Sequence, residues 1–397
     1  MTQARRTKVG IVGAGPAGLM LSHLLHREGI DSVVIESRTR AYVEQRVRAG
    51  VLEQGTVDLL DASGVGARMR REGLVHHGIE IRFGGTGRRI DFPSLTGGRS
   101  IVVYGQQEVV KDLIEARLAD GGAILFEATD TMPHAFDTNE PTIRYKQDGN
   151  PHALACDFIV GCDGFHGVSR QAIPQGHLTV FERTYPFAWL GILAKAPPTH
   201  DELIYAYHDH GFALYSMRSP ELTRLYLQVA PNEDRALWPD RRIWDELHAR
   251  LETGDGWTLR EGPVLETLVA PMRSFVAEPM QCGRLFLAGD AAHIVPPTGA
   301  KGMNLAMADV HILARALSDF YASGREDELR AYSQACLARV WRAEHFSWWM
   351  TSMLHRFPND DAFGHRLQLS QLEYVTSSIP AATSLAENYV GLPFADS

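Results

Sequence analysis

A glycine-rich turn between an apolar strand and a helix lies close to the start of this sequence. Residues 8–12 are mostly apolar, residues 13–18 read GAGPAG, and residues 17–28 have a helical pattern. Glycines allow the tight turn, and the N–H groups that open the helix attract phosphate. A second apolar run, residues 30–36, ends in Glu36, whose carboxylate can hold a ribose hydroxyl pair. A bare glycine motif is weak evidence, but the strand, the helix and the distant acid together predict a parallel βαβ unit that binds a dinucleotide.

Two further motifs follow apolar strands. The segment GCDGFHGVSR, residues 161–170, comes directly after the apolar run 158–160. Its Asp-Gly pair is either a plain structural turn or a ligand for a cofactor. A third apolar run, RLFLA, leads into Asp290, and a helix is predicted from Gly302. Such a helix would direct free N–H groups at an anion, although a structural Gly-Pro loop before a helix has the same pattern.

The composition restricts the class of protein. At 397 residues the chain exceeds the usual size of one core, so we expect two or three packed units. A formal net charge of -9 argues against nucleic-acid binding, which depends on a basic surface. The four cysteines lack CxxC spacing, which favours buried thiols in a reduced, cytoplasmic protein without a metal centre. We find no signal-peptide pattern and no apolar run of membrane-spanning length, and therefore expect no membrane association.

The rest of the chain alternates between strand-rich and helix-rich stretches. Residues 185–230 are rich in aromatic and β-branched residues, which predicts a mostly antiparallel sheet. A helix is expected over residues 241–252, and residues 325–372 have a helical pattern. Nucleotide-binding signals at both ends of the chain predict a discontinuous domain. The expected units are a nucleotide-binding domain of residues 1–78, 101–179 and 273–320, a sheet domain of residues 79–100 and 180–272, and a helical C-terminal region of residues 321–397.

The three motifs together resemble those of the single-component flavoprotein aromatic hydroxylases. The resemblance extends along almost the whole chain. It includes the tracts RVRAGVLEQGTVDLL, GLVHHGIEI, YGQQEV, ELIYAY, GFALYS, FSWWMTS, LHRFP and AENYVGLP. It implies an α/β fold with a Rossmann-like FAD-binding domain, a mostly antiparallel β-sheet substrate domain and a helical C-terminal region.

The same resemblance implies an activity. A flavin hydroperoxide would deliver oxygen from O2 to 4-hydroxybenzoate, giving 3,4-dihydroxybenzoate in the catabolism of aromatic compounds. FAD would be bound non-covalently, NADPH or NADH would be the co-substrate, and the protein would be a cytoplasmic homodimer. The residues implied to hold FAD are Gly13, Gly15, Gly18, Glu36, Arg46, Arg48, Gln106, Asp163, Arg224, Asp290, Gly299 and Asn304.

The resemblance also assigns a pocket for a small aromatic acid. Ser216, Arg218 and Tyr226 would bind the substrate, since a guanidinium matches a carboxylate with two charged hydrogen bonds. Ser216 and Arg218 are two residues apart, so a regular strand would place both on one face. Tyr215 and Met217 would then point to the opposite face. The apolar walls would be formed by Trp189, Leu203, Leu214 and Thr298.

At the other end of the ring, a proton path is implied. Tyr205 and Tyr389 would bind the substrate phenol, and His76 would take its proton through a water molecule. We expect His76 to titrate near neutrality, as an ordinary histidine does. The backbone carbonyl of Pro297 would face the same phenol.

The nicotinamide site is implied by residues along the edge of the FAD site. These are Arg38, Arg46, Arg48, His166 and Arg273. The stretch after Glu36 departs from the NADPH-specific pattern of the family, which has an arginine directly after the acid. Arg38 or Arg40 remains available for a 2′-phosphate, so use of both NADH and NADPH stays open.

Two alternatives remain open from the sequence. The first is the same chemistry on another hydroxybenzoate. The second is a non-catalytic binding protein with a dinucleotide fold, which would be colourless, whereas a hydroxylase would be yellow with bound flavin.

Overall fold

The computed structural model describes residues 5–46, 48 and 50–394. Its strands are β1 Arg5–Arg6, β2 Val9–Val12, β3 Ser32–Ile35, β4 Val51–Leu52, β5 Leu74–His76, β6 Gly78–Phe83, β7 Thr86–Asp91, β8 Ile101–Val103, β9 Ala123–Leu125, β10 Thr129–His134, β11 Thr142–Gln147, β12 Asn150–Ala155, β13 Phe158–Gly161, β14 Thr179–Ala194, β15 Leu203–Ala206, β16 Ala213–Ser219, β17 Leu222–Val229, β18 Val264–Glu278, β19 Gln281–Cys282, β20 Leu285–Leu287 and β21 His293–Ile294.

The helices complete the architecture. They are α1 Pro16–Arg27, α2 Arg40–Gln45, α3 Gln54–Ala62, α4 Ala67–Glu72, α5 Phe92–Thr96, α6 Gln106–Ala119, α7 Val168–Gln171, α8 Asp240–Leu251, α9 Gly302–Ser323, α10 Asp327–Leu354, α11 Ala362–Ser377 and α12 Ile379–Val390. The long helix predicted from Gly302 is confirmed.

The predicted βαβ unit is confirmed. Strand β2 pairs in parallel with β3, with Val9 opposite Ser32, and α1 connects the two strands. They belong to a sheet ordered β19-β20-β13-β2-β3-β9. Its strands come from separated parts of the chain, because β13 and β20 lie far downstream of β3. A smaller sheet ordered β1-β12-β11-β10 and another ordered β4-β8-β5 lie beside it.

The glycine turn brings the first two sequence motifs into contact. Gly13 has φ +104°, and a Cβ added there would lie 2.4 Å from the carbonyl oxygen of Cys162. A Cβ on Gly18 would lie 2.1 Å from the carbonyl oxygen of Gly13. No larger residue fits either position, so glycine is required for the close approach of these two loops.

The second large sheet is mostly antiparallel, as predicted. Its order is β21-β18-β14-β17-β16-β15-β6-β7, and β15 with β6 is a parallel pair within it. Helix α8 covers one face through Ile243, Trp244 and Leu247, whereas helices α10 to α12 pack against the other face. The two faces form separate apolar cores, and the second of these contains the candidate substrate pocket.

The prediction of continuous helical structure over residues 325–372 is wrong between α10 and α11. Helix α10 ends at Leu354 and α11 begins at Ala362, where the Asp361 side chain accepts a hydrogen bond from Gly364 N. Pro358 lies in the break, and proline cannot donate the backbone hydrogen bond that a helix needs. Across the residues described, no helix combines the length and apolar character needed to span a membrane.

Candidate active site

The first motif leaves an open space in front of helix α1. A Cβ added to Gly15 would meet no described atom within 4 Å. Glu36 lies beside this space, because its Oε2 accepts a hydrogen bond of 2.8 Å from Ala14 N and its Oε1 one of 2.8 Å from Arg38 N. The turn therefore presents free space, the positive end of a helix and a carboxylate together.

The second motif places a carboxylate at the edge of the same space. Asp163 Oδ2 accepts hydrogen bonds from the backbone and the hydroxyl of Ser169, at 2.8 and 2.9 Å. Its other oxygen, Oδ1, is buried and has no hydrogen-bond partner in the described part of the chain. Burial raises the pKa of this carboxyl. Such an oxygen is available to a cofactor hydroxyl group.

The third motif is tied directly to the second. Arg170 donates to the carbonyl oxygens of Ala291 and Phe165, at 2.8 and 2.6 Å. Asp290 itself is exposed, and the neighbouring Gly289 N donates to Asp309 Oδ2 at 2.9 Å. These contacts hold the loops of the second and third motifs together.

The side chain of Asn304 has a structural role that the sequence did not predict. Its Oδ1 accepts from Glu53 N at 3.0 Å, and its Nδ2 donates to the carbonyls of Val51 and Ala300 at 2.9 and 3.0 Å. The amide is therefore fully engaged within the protein. The backbone N–H of Asn304 lies in the first turn of α9, where N–H groups have no helical acceptors, so it is the group that is free for another ligand.

These features fit FAD. The open space at Gly15, the unpartnered Asp163 oxygen and the helix start at Gly302 provide room for a pyrophosphate, an acceptor for hydroxyl groups and donors for an anion. They come from the three motifs that the sequence singled out. The residues present therefore suit a flavin dinucleotide in their chemistry.

The candidate substrate pocket begins as one row across the antiparallel sheet. Gly191, Tyr226, Leu214, Tyr205 and Ile81 are successive neighbours on adjacent strands. Such neighbours point to the same face of a sheet. The predicted wall residues join this face, since the same apolar core contains Trp189, Leu203, Leu214, Tyr205 and Tyr389, with Tyr226 packed against it.

Strand β16 has an irregularity at the predicted carboxylate-binding residue. Met217 pairs with Thr223 and Ser219 with Leu222, so the register shifts across Arg218. The simple alternation from which we placed Ser216 and Arg218 on one face therefore does not extend to Arg218. Tyr215 and Met217 do lie in the core of the opposite face, as predicted. Such an irregularity redirects a side chain.

Arg218 is a half-buried cation with an unusual guanidinium environment. Its Nε and Nη1 atoms are buried, and none of the described residues provides them with a hydrogen-bond partner. Burial lowers the pKa of the guanidinium, because the charged form loses its hydration. Arg224 Nη1 is likewise buried without a described partner. Buried guanidinium nitrogens without an acceptor are costly, which indicates that an anion completes the site.

The two predicted tyrosines are in contact with each other. Tyr205 Oη and Tyr389 Oη lie 2.6 Å apart, and both side chains are buried. Phe92 stacks on Tyr389 with ring centroids 5.2 Å apart. Burial raises the pKa of both phenols. They are therefore neutral hydroxyls that can donate and accept hydrogen bonds.

His76 is buried, contrary to our expectation of an ordinary titrating histidine. Burial lowers its pKa to about 4. Its Nε2 lies 3.1 Å from Met217 Sδ, and its Nδ1 has no hydrogen-bond partner within the described ranges. The ring is neutral at physiological pH, and Nδ1 is its polar atom without a described partner.

The loop before α9 contains Pro297, which is exposed, and Thr298. The carbonyl oxygen of Pro297 accepts one hydrogen bond of 3.0 Å from Ala300 N, which leaves one lone pair. Ala300 adopts φ +54°, a left-handed conformation that is uncommon for alanine. Thr298 is fully buried, and its hydroxyl lies 2.8 Å from that of Thr351.

A buried ion pair that the sequence pattern did not predict lies behind this loop. Lys301 Nζ lies 2.6 Å from Glu53 Oε1 and 3.1 Å from the carbonyl oxygen of Tyr389, and it also donates to the carbonyl of Asn388. Lys301 therefore joins the loop to the end of α12, which carries Tyr389. The ion pair spans 248 positions in the chain, so no local pattern could reveal it.

The residues predicted for the nicotinamide lie in two places. His166 and Arg273 flank Phe165, with the Arg273 guanidinium 4.7 Å from the ring centroid. Arg38 lines a surface pocket of about 490 Å³ and lies over the ring of Tyr42. Arg40 is held by Glu44 at 2.6 Å. The other two predicted residues, Arg46 and Arg48, are exposed.

Comparisons with known proteins agree with this geometry. A family model described as an FAD binding domain matches residues 6–347. The chain is 49% identical over 392 residues to a p-hydroxybenzoate hydroxylase of Acinetobacter baylyi, covering 99% of this chain and 97% of the relative.

Solved structures share the fold. A p-nitrophenol 4-monooxygenase of Pseudomonas putida superimposes with a TM-score of 0.80 at 19% identity, covering 98% of this chain and 99% of that protein. An aromatic hydroxylase from angucycline biosynthesis superimposes with a TM-score of 0.74 at 20% identity, covering 97% and 76%. Given the family match over residues 6–347 and the 49% identical relative, this chain belongs to the single-component FAD-dependent aromatic hydroxylases.

Proposed function

We propose that this hydroxylase converts 4-hydroxybenzoate to 3,4-dihydroxybenzoate. The observation that carries the proposal is that two different polar groups lie at the two ends of one stretch of the antiparallel sheet. One end has the buried Arg218 guanidinium, and the other has the Tyr205–Tyr389 hydroxyl pair. The first suits a carboxylate and the second a phenol. The Acinetobacter baylyi relative, whose name includes p-hydroxybenzoate, supports the same substrate.

The spacing of the two ends suits a para-substituted ring. Tyr205 is the neighbour of Leu214 on β16, and Arg218 follows four positions further along that strand. At ~3.3 Å per residue, four positions of a regular strand span at most roughly 13 Å between Cα atoms, and the irregularity at Arg218 shortens this distance. This is about the length of a benzoate with a para hydroxyl and one hydrogen bond at each end. A meta hydroxyl would point away from this line.

The cofactor would be held by the residues of the three motifs and their neighbours. Bound FAD supplies reducing equivalents taken from NAD(P)H and activates O2. The proposed contacts are Gly13, Gly15, Gly18, Glu36, Arg46, Arg48, Gln106, Asp163, Arg224, Asp290, Gly299 and Asn304, the last through its backbone.

Binding of the substrate begins at its carboxylate. Arg218 and Ser216 bind the carboxylate, while Trp189, Leu203 and Leu214 exclude water from the ring. A dry site strengthens the charge-assisted hydrogen bonds that fix the ring. The ring carbon next to the phenol is thereby held in one place for hydroxylation.

The tyrosine pair removes the phenol proton. The phenol donates to Tyr205, Tyr205 donates to Tyr389, and water carries the proton from Tyr389 to His76 Nδ1. A phenolate raises the electron density of the ring carbon that is attacked, while the remaining lone pair of the Pro297 carbonyl faces the same oxygen. Because the pKa of His76 is about 4, this residue passes the proton to solvent and does not store it at neutral pH.

The nicotinamide co-substrate is proposed to bind near His166 and Arg273, with Arg38 available for a 2′-phosphate. Arg38 makes no ion pair with a described residue, whereas Arg40 is paired with Glu44. Both NADH and NADPH remain possible co-substrates. We also propose that the chain divides into a discontinuous FAD-binding domain, a sheet domain and a helical C-terminal region.

We further propose a cytoplasmic homodimer. Phe363, Leu367 and Tyr374 lie on one face of α11 and are 71%, 56% and 60% exposed, which suits contact with a second copy of this chain. The four cysteines are buried and free, in keeping with a reducing compartment. Sedimentation of the holoenzyme tests the dimer, and a monomer at micromolar concentration would refute it.

The proposed reaction is tested with the purified, FAD-loaded chain. Oxidation of NADPH and of NADH is measured with 4-hydroxybenzoate, 3-hydroxybenzoate, 2,4-dihydroxybenzoate and benzoate, and the products are identified by chromatography. We expect the fastest coenzyme oxidation with 4-hydroxybenzoate and 3,4-dihydroxybenzoate as its product. Preferred turnover of another ring would reassign the substrate. A colourless protein that retains no flavin would favour the non-catalytic alternative.

A further inference from the structure

One face of helix α10 and its C-cap residue carry buried polar side chains that the proposed reaction does not use. Ser347, Thr351 and His355 follow at intervals of four residues, so they lie along the same side at the end of the helix. All three are 0% exposed. We call these three residues the polar seam. Burying polar groups is costly unless they make specific contacts. Thr351 and His355 have side-chain hydrogen-bond partners that show what the seam does, whereas Ser347 Oγ has none among the described residues.

The first two members of the polar seam contact the loop that carries Pro297. Thr351 Oγ1 donates to the Ser347 carbonyl at 2.7 Å, which leaves it to accept from the Thr298 hydroxyl at 2.8 Å. A Cβ added to Gly299 would lie 2.5 Å from Ser347 Oγ. The seam therefore contacts two adjacent residues of this loop and restricts its position.

The third member contacts a wall of the pocket. His355 Nδ1 donates to the Thr351 carbonyl at 3.0 Å, so its Nε2 is the acceptor in the neutral ring. The indole N–H of Trp189 donates to this Nε2 at 2.7 Å. Phe212 stacks on the imidazole with centroids 4.3 Å apart. The Trp189 indole is thus held both by a hydrogen bond and by a packed aromatic cluster.

The polar seam thereby connects two separate parts of the pocket. The Thr298 loop belongs to the segment before α9, whereas Trp189 belongs to β14. Thr351 contacts the first and His355, one helical turn later, contacts the second. Apolar packing alone would not need a threonine hydroxyl and an imidazole acceptor at these positions, because hydrophobic side chains fill a core without such orientation. The hydrogen bonds of Thr351 and His355 are directional, so they can hold Thr298 and Trp189 at a fixed separation.

We propose that Thr351 and His355 are positioning residues that fix the Thr298 loop and Trp189 relative to each other, and so set the width of the aromatic-acid pocket. Ser347 supports the same loop at Gly299. This inference rests on the proposed function, since the ligand of the pocket is the ring of a hydroxybenzoate. Neither Thr351 nor His355 needs to touch that ring.

The test compares two substitutions in the FAD-loaded full chain. Thr351→Val keeps the volume of the side chain but cannot accept from Thr298, and His355→Phe keeps the ring but cannot accept from Trp189. The dissociation constant of 4-hydroxybenzoate is measured from the change in flavin absorbance on binding. We expect each substitution to weaken binding by about five- to tenfold, as the loss of one buried hydrogen bond implies. FAD retention should stay unchanged.

Conservative variants separate positioning from a general loss of packing. Thr351→Ser and His355→Gln retain an acceptor, and we expect both to restore binding to within about twofold of wild type. Thr376→Val is the matched control, because Thr376 Oγ1 also donates to the carbonyl four residues before it but contacts Arg88 outside the pocket. This control should bind substrate as wild type does.

Unchanged binding in Thr351→Val would overturn the inference, as would Thr351→Ser behaving like Thr351→Val. If His355→Phe loses FAD, the threonine pair of variants decides the outcome. Failure of the proposed function is visible separately, because the wild-type flavin spectrum would then not respond to 4-hydroxybenzoate. If another ring perturbs the wild-type spectrum, the same variants test the polar seam with that ring.

Discussion

The hydroxyl oxygens of Tyr205 and Tyr389 lie 2.6 Å apart, although 184 positions separate the two residues in the chain. Tyr205 comes from the antiparallel sheet and Tyr389 from the last turn of α12. The Lys301 ammonium helps to hold Tyr389 in this position, because it donates hydrogen bonds to the carbonyls at the end of α12 and to the buried Glu53 carboxylate. Two buried hydroxyls at this distance can pass a proton between the pocket and the remainder of the protein.

Removal of one hydroxyl of this pair should uncouple the reaction. Tyr205→Phe leaves Arg218 and the apolar walls in place, so the variant should still bind 4-hydroxybenzoate. Without the acceptor the phenol keeps its proton, and product per NADPH should fall by roughly 10- to 100-fold while hydrogen peroxide rises. Parallel assays of NADPH, product and peroxide measure this. Tyr321→Phe, whose hydroxyl bonds Asp157 elsewhere, is the control. Unchanged coupling in Tyr205→Phe would remove Tyr205 from the proton path.

Arg218→Lys should weaken substrate binding far more than FAD binding. An ammonium cannot form the two parallel hydrogen bonds by which a guanidinium holds a carboxylate. We expect the dissociation constant of 4-hydroxybenzoate to rise by roughly tenfold or more, with FAD retention unchanged. Equilibrium titration of the flavin absorbance measures both quantities. Arg88→Lys, at the sheet edge beside Thr376, should have no such effect. Equal substrate affinity in Arg218→Lys and wild type would exclude the carboxylate contact.

Arg38→Ala should lower the use of NADPH more than the use of NADH. Arg38 lines the pocket of about 490 Å³ and makes no ion pair with a described residue, so its charge is available to a 2′-phosphate. We expect kcat/KM for NADPH to fall by about five- to tenfold relative to NADH. Arg40→Ala is the comparison, and its effect should be smaller because Glu44 already binds that guanidinium. If neither substitution changes kcat/KM for NADPH relative to that for NADH, other residues recognise the 2′-phosphate.

Glu344 should make stability depend on pH. It is 5% exposed, and its Oε1 has no partner among the residues whose positions are described. Burial raises the pKa of this carboxyl to about 7, above its ordinary value, so the folded protein binds more protons than the unfolded chain between roughly pH 4.5 and pH 7. The stabilisation is complete below this window and is lost as the pH rises through it.

Glu344→Gln removes that ionisation. We expect the variant to be more stable than wild type at pH 8, by about 2 kcal/mol, and nearly equal to it at pH 5. Thermal unfolding at both pH values measures the difference, with the exposed Glu115→Gln as the control. A gain of the same size at both pH values would show that charge is not the cause.

Local features of the fold could be predicted because they depend on neighbouring residues. The glycine turn, helix α1 and the start of α9 follow from glycine spacing and apolar runs, and all three were found where expected. The break between α10 and α11 was missed, since the helical pattern continues on both sides and one proline is a small signal.

The features that could not be predicted depend on distant contacts. The Lys301–Glu53 pair and the hydrogen bond between Trp189 and His355 join residues far apart in the chain. Burial of His76 has the same origin: Met217 of a different strand lies against its ring. The register shift at Arg218 arises from strand pairing and has no local signature. Each of these features is determined by tertiary packing, which a local sequence pattern does not show.

The most direct test of the account is the stoichiometry of the wild-type reaction. With FAD-loaded enzyme and a known, limiting amount of 4-hydroxybenzoate, NADPH or NADH oxidation, O2 consumption and 3,4-dihydroxybenzoate formation are measured together. The account predicts one coenzyme and one O2 consumed for each product molecule, with little hydrogen peroxide. Coenzyme oxidation that yields peroxide alone, or a flavin that does not respond to this substrate, would contradict it.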